Sequence, residues 1–141
     1  MSSSTIRLAF VLSLAMVCLQ GAVGGIARGG EEKDPLAANT VWKGEIRQGT
    51  EVFPTTIYIK ERDKDRIRGE IHFKTDRGVN KLTFQGNVVE GRTVAWITDK
   101  KEGTVTFPGL YIGTLKGKSL SGVWQVLSAG QYDTFSVKLA E

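Results

Sequence analysis

The sequence predicts an all-β protein: eight antiparallel strands in an up-and-down meander that closes into a small barrel. Three observations lead there. From Thr40 onward apolar and polar residues alternate with period two. Turn residues interrupt that alternation about every 8 to 12 positions, the spacing of a sandwich or barrel. One motif, apolar-x-Gly-x-apolar, recurs along the chain, and no stretch carries the period of an amphipathic helix.

The alternation divides the chain into strands at 40–48, 52–61, 65–74, 79–88, 92–98, 104–115, 118–127 and 131–140. The connections hold Gln48-Gly49-Thr50, Arg62-Asp63-Lys64, Asp76-Arg77-Gly78, Glu90-Gly91, Lys101-Glu102-Gly103, Lys116-Gly117 and Ala129-Gly130. All but the second contain glycine, which takes positive φ without a Cβ penalty. Such short turns join antiparallel neighbours, so a meander is the economical topology. A meander with one apolar face must bury that face, and closure does so while removing both sheet edges.

The recurring motif supports closure. It occurs at Trp42-Lys-Gly44-Glu-Ile46, Ile67-Arg-Gly69-Glu-Ile71, Phe84-Gln-Gly86-Asn-Val88 and Leu120-Ser-Gly122-Val-Trp124. Period two places each glycine on the same face as its apolar neighbours. Glycine weakens a strand interior, so its repeated use on a core face implies sharp coiling or close approach of another segment.

The predicted interior comprises Trp42, Ile46, Ile57, Ile59, Ile67, Ile71, Phe73, Leu82, Phe84, Val94, Trp96, Val105, Phe107, Leu110, Ile112, Leu120, Trp124, Val126, Phe135, Val137 and Leu139. An eight-stranded barrel is just wide enough to be filled by side chains or to hold one small ligand. The interior carries no charge, so an internal ligand should be apolar. Trp42, Trp96, Trp124, Phe73, Phe84 and Phe107 are the candidate ligand-contacting residues.

Catalytic and metal chemistry find little to work with. The sole histidine, His72, alternates with Ile71 and Phe73 and so faces outward with Arg68, Glu70 and Lys74. A zinc site needs three or four His, Cys or carboxylate ligands. A serine triad needs a histidine between an acid and a nucleophile. Glu45 and Glu70, both in Gly-Glu-Ile, also face outward and read as strand residues pairing with Lys43, Arg47, Arg68 or Lys74. Asp63-x-Asp65 does not continue into a calcium loop, because Arg68 and Lys74 stand where Gly and Glu are required. No metal, cofactor or catalytic set is therefore assigned. The turn residues Asp63, Asp76, Asp99 and Asp133 are what an enzyme built on the barrel would have to use, and Tyr58, Tyr111 and Tyr132 are candidates for an exposed partner surface.

The N-terminus reads as an export signal. Arg7 precedes the apolar run Leu8–Leu19, broken only by Ser13, and small residues follow. The run is shorter than the about 20 residues a bilayer span needs. Two sites obey the small-x-small cleavage rule, Ala22-Val23-Gly24 and Gly25-Ile26-Ala27, and the second is favoured. Residues 1–27 are thus a signal peptide, 28–39, rich in charge, Gly and Pro, a flexible lead-in, and 40–141 the barrel domain. Cys18, the only cysteine, lies inside the apolar run. Leu14-Ala15-Met16-Val17-Cys18 approaches a lipobox, but Val17 occupies the place of a small residue, so lipidation is the lesser alternative. The location expected is periplasmic or secreted.

Removing 1–27 takes away one base, Arg7, and no acid, leaving a surplus of three bases. Charges are interspersed, as in Lys60-Glu61-Arg62-Asp63-Lys64-Asp65-Arg66, which argues against nucleic acid or anionic lipid as partner.

A meander that opens on Trp42 and later carries Leu120-Ser-Gly-Val-Trp124 and Phe135-Ser-Val-Lys-Leu139 resembles the calycin barrels, the lipocalin and avidin architecture, over residues 40–141. Thr40 stands where lipocalins place a glycine, and neither their arginine after the last strand nor avidin's ligand contacts have counterparts. The resemblance implies an architecture and no particular ligand. An export signal on a short barrel is also similar to small bacterial envelope proteins.

The function expected is a non-catalytic exported module that binds a small apolar ligand or a protein partner, or that serves structurally. The alternatives are an enzyme built on the barrel and an eight-stranded outer-membrane barrel, in which the apolar face would point at lipid.

Overall fold

The computed structural model describes residues 33–102, 109–127 and 130–141. They form eight strands: β1 (Val41–Gln48), β2 (Glu51–Asp63), β3 (Arg66–Thr75), β4 (Gly78–Val89), β5 (Thr93–Glu102), β6 (Gly109–Lys116), β7 (Ser119–Val126) and β8 (Tyr132–Leu139). Each pairs antiparallel with the next, and β8 returns to β1 through Trp42↔Leu139, Gly44↔Val137 and Ile46↔Phe135, closing the barrel in meander order. The register shifts in the β2–β3 pairing between Ile59 and Glu61, where β2 carries one extra residue, and in the β4–β5 pairing at Lys81 and Leu82, where the extra residue is on β5. Such bulges raise the local twist that a closed sheet needs.

The apolar phase of the strands faces inward. Trp42, Ile46, Ile57, Ile59, Ile67, Ile71, Leu82, Phe84, Val94, Trp96, Leu120, Phe135 and Val137 form one buried core, with Phe73, Trp124 and Leu139 packed against it. Lys43, Lys60, Arg68 and Lys81 lie on the exposed outer phase. Apolar side chains inside and charges outside are the reverse of a transmembrane barrel, which turns its apolar face to lipid.

The motif glycines sit where strands approach one another too closely for a side chain. A Cβ at Gly69 would run into the Tyr58 carbonyl oxygen and lie 2.8 Å from the Phe84 ring. At Gly122 it would meet the Ile112 carbonyl oxygen and the Cα of Gly113, 2.5 Å away. The turn glycines act differently: Gly117, for example, has φ +57° and open space around it.

Two expectations need correction. The first concerns β6, where Leu110 and Ile112 were expected inside. They face out, Leu110 half-buried and Ile112 44% exposed, while Tyr111, expected on the surface, is 3% exposed in the core. The reason is the space left by other strands. Opposite Gly113 the interior is already occupied by Phe135 and Leu120, whose atoms would lie 2.7 and 3.1 Å from a Cβ there. Only the phase that puts Gly109, Tyr111, Gly113 and Leu115 inward fits. Tyr111-Ile-Gly113-Thr-Leu115 is a fifth copy of the apolar-x-Gly-x-apolar motif, which is the signal that places it correctly. Val105 and Phe107 lie outside the described residues.

The second correction concerns residues 33–39, expected to be part of a flexible lead-in. They form two turns held by Asp34, whose side chain accepts from the Leu36 N–H at 2.9 Å and whose carbonyl accepts from the Ala37 N–H at 3.0 Å. The Asn39 N–H then donates to the Ile59 carbonyl at 2.8 Å, and the Arg62 guanidinium meets the Asp34 carboxylate at 3.1 Å. These contacts lower Leu36, 1% exposed, into the barrel core. An open barrel end exposes apolar surface, and burying a leucine there is worth about 1.5–3 kcal/mol.

Val126, expected inside, is half-buried at the end of β7 and borders the cavity at that end of the barrel.

Candidate functional site

Leu36 closes one end of the barrel, and the candidate site is at the other. There the ends of β1, β3 and β7 and the starts of β2, β4 and β6 surround a half-open cavity of about 460 Å³. Ile46, Leu82 and Tyr111 form its floor, and Phe53, Phe73 and Trp124 its aromatic walls.

The aromatic groups are ordered from the core outward. Trp96 stacks on Tyr111 with centroids 5.2 Å apart and planes 6° from parallel, and Tyr111 stacks in turn on Trp124 at 5.9 Å and 18°. Phe135 meets both Trp96 and Tyr111 edge-on, at 5.3 and 5.5 Å. Phe53 and Phe73 meet edge to face at 6.3 Å on the far wall. Ring pairs in these geometries contribute about 0.5–1.5 kcal/mol each beyond area burial, so the floor of the cavity is stiff. Trp124 is oriented by its indole N–H, which donates to the Arg47 carbonyl at 2.9 Å.

Polar groups at this end are mostly engaged in the fold. Thr98 Oγ1 accepts from the Gly109 N–H at 2.9 Å and lies 3.2 Å from the Gly109 carbonyl it donates to, splicing β5 to β6. Thr55 Oγ1 donates to the Phe53 carbonyl at 2.9 Å. Asn80, 3% exposed, reaches Thr75 Oγ1 at 3.5 Å and borders the cavity. The Asp133 carboxylate accepts from the Gly49 and Thr134 N–H groups, tying the start of β8 to the β1–β2 turn. Glu51, Asp76 and Arg77 stand at the rim. Burial pushes the Tyr111 phenol well above its ordinary pKa, so it stays neutral.

The candidate ligand-contacting residues separate into three groups. Trp124 and Phe73 line the cavity. Trp42, Phe84 and Trp96 are 0%, 4% and 2% exposed and pack in the core beneath it. Phe107 lies outside the described residues. Sequence reasoning missed Phe53, Tyr111 and Asn80, because Phe53 precedes Pro54 in a stretch where the alternation is weak, and because a polar Asn was not sought on a core face.

The other groups considered for chemistry are scattered. His72 pairs with Glu70 at 3.0 Å on the outer face of β3, its ring 4.8 Å from Tyr58. Glu45 pairs with Arg47 at 2.8 Å. Asp63 lies at the closed end, Asp99 on the outer face of β5, and only Asp76 is at the cavity rim. Among the described residues no three His, Cys, Asp or Glu converge to hold a metal ion.

A larger cleft, about 1040 Å³, runs between residues 33–41 and the β4–β5 and β6–β7 turns. Its walls include Lys33, Arg92, Lys116 and Lys118 and no aromatic residue, which makes it a poorer ligand site than the aromatic mouth. No protein-family model matches this sequence, and no curated protein is significantly similar to it.

Proposed function

We propose that this chain is an exported, non-catalytic barrel of calycin type that holds a small, largely apolar, planar ligand in its open mouth. The observation that carries the reading is the half-open cavity walled by Phe53, Phe73 and Trp124 above a Tyr111 floor. Its size is within the range of small-molecule sites, which are mostly apolar and carry a few placed polar groups. A planar ring entering the mouth extends the Trp96–Tyr111–Trp124 stack by one member. Asn80 and the rim residue Arg77 supply the hydrogen-bonding edge.

Titration with 2-naphthol and with anilinonaphthalene sulfonate, followed by tryptophan fluorescence, tests this. Saturable one-to-one quenching is expected. Trp124→Ala should weaken it about tenfold, the equivalent of one stacked ring pair. Absence of saturable binding by either probe, or binding unchanged in Trp124→Ala, defeats the reading.

Export is part of the proposal, and it rests on Arg7, the Leu8–Leu19 run and the small residues after it. Mass spectrometry of the protein recovered from its native compartment should find an N-terminus at Arg28 or Gly25. An intact Met1 or a lipidated Cys18 overturns it.

A further inference from the structure

Tyr111 is 3% exposed, stacked between Trp96 and Trp124, and borders the cavity at the open end of the barrel. Among the described residues its hydroxyl has no hydrogen-bond partner, and burial alone shifts its pKa, with no charge or hydrogen bond acting on it. A phenylalanine would make the same stack without burying a polar group, and a buried hydroxyl left unpaired carries a desolvation penalty. The other donors on the inner lining are used by the fold. The Trp124 indole donates to the Arg47 carbonyl, Thr98 Oγ1 bonds both the N–H and the carbonyl of Gly109, and the Asn80 amide nitrogen reaches Thr75 Oγ1. Trp42 and Trp96 also bury indole nitrogens without a partner, but neither borders the cavity. The Tyr111 hydroxyl is thus the uncommitted donor of the cavity floor.

We propose that the ligand held in the mouth is a neutral aromatic carbonyl compound whose carbonyl oxygen accepts a hydrogen bond from the Tyr111 hydroxyl. The inference rests on the reading of the mouth as an apolar ligand site and names the ligands that site selects. The ligand must bring an acceptor, because the buried phenol stays protonated and presents O–H. It is neutral, because a carboxylate at the floor would be buried without a counter-charge: Arg77, the one cation lining the cavity among the described residues, is exposed at the rim. It is aromatic, because Phe53, Phe73 and Trp124 offer ring faces and edges as walls. A carbonyl conjugated to a ring lies in the ring plane. Tyr111 and Trp124 are cross-strand partners with stacked rings, so a ring held against Trp124 carries its carbonyl edge toward the neighbouring hydroxyl. Tyr111 is then a specificity residue. An apolar pocket discriminates weakly between molecules of one shape, whereas a pocket with a placed donor rejects the analogue that leaves the donor unpaired.

A matched pair of probes tests the proposal on the protein recovered from its native compartment. 2-Acetylnaphthalene and 2-isopropenylnaphthalene share one shape and differ in carrying C=O or C=CH2. The readout is the ratio of their affinities, measured by tryptophan fluorescence, which cancels what the two rings have in common. Tyr111→Phe, which keeps the aromatic ring and removes the hydroxyl, should lower the ketone-to-hydrocarbon ratio about tenfold, the loss of one hydrogen bond. Tyr58→Phe, on the outer face of β2, should leave the ratio as it is. The infrared carbonyl stretch of the bound ketone should lie below its value in hexane and return to that value in Tyr111→Phe. Saturable binding of both probes with a ratio unmoved by Tyr111→Phe overturns this inference and leaves the mouth as an apolar site. A bound carbonyl stretch at the hexane value overturns it without any variant. Binding of neither probe overturns the reading of the mouth, and this inference with it.

Discussion

Gly122→Val is expected to lower the free energy of unfolding by about 3 kcal/mol or more, the upper end of what overpacking costs. A Cβ at Gly122 would enter the Ile112 carbonyl and crowd the Gly113 Cα, so backbone rather than a flexible side chain has to move. Gly117→Val gives the contrast. Its φ is +57° with nothing within 4 Å, so the cost there is the left-handed backbone alone, about 1–2 kcal/mol. Urea denaturation followed by tryptophan fluorescence separates the two. Equal shifts, or a Gly122 variant with an unmoved midpoint, would show that β6 and β7 are not in the close contact described.

Tyr111→Ala should cost about 3–5 kcal/mol, as truncation of a buried aromatic does, while Ile112→Ala should cost less than about 1 kcal/mol. Tyr111 is 3% exposed and stacked between Trp96 and Trp124, whereas Ile112, its neighbour, projects outward. Because Tyr111 is the floor of the mouth, its loss should also abolish quenching by 2-naphthol. A larger destabilisation from Ile112→Ala than from Tyr111→Ala would reverse the assignment of the two faces of β6 and remove the aromatic stack from the cavity.

These variants probe the strand whose orientation was least legible. In β1 to β4 the outward positions carry Lys43, Glu45, Lys60, Arg68, Glu70 and Lys81, so each strand has one face that cannot be buried cheaply. In Gly109-Leu110-Tyr111-Ile112-Gly113 both phases are apolar, and alternation by itself cannot choose between them. The candidate site was half legible for a similar reason. Trp124 and Phe73 are apolar residues on a core phase, and so are Trp42, Trp96 and Phe84. Nothing local distinguishes a ring at the mouth from one at mid-barrel, because height along the barrel follows from strand pairing.

Strand number, the turns between strands and the meander order were determined by the sequence itself, because alternation and turn glycines act over a few residues and are written locally. Tertiary structure decided which apolar face of β6 turned inward, which end of the barrel was closed and where the cavity lay. Each depended on space left by residues far apart in the chain. Phe135 and Leu120 leave room for no more than a glycine at position 113, and Leu36 fills one end. The Trp96–Tyr111–Trp124 stack meets Phe53 and Phe73 only at the other.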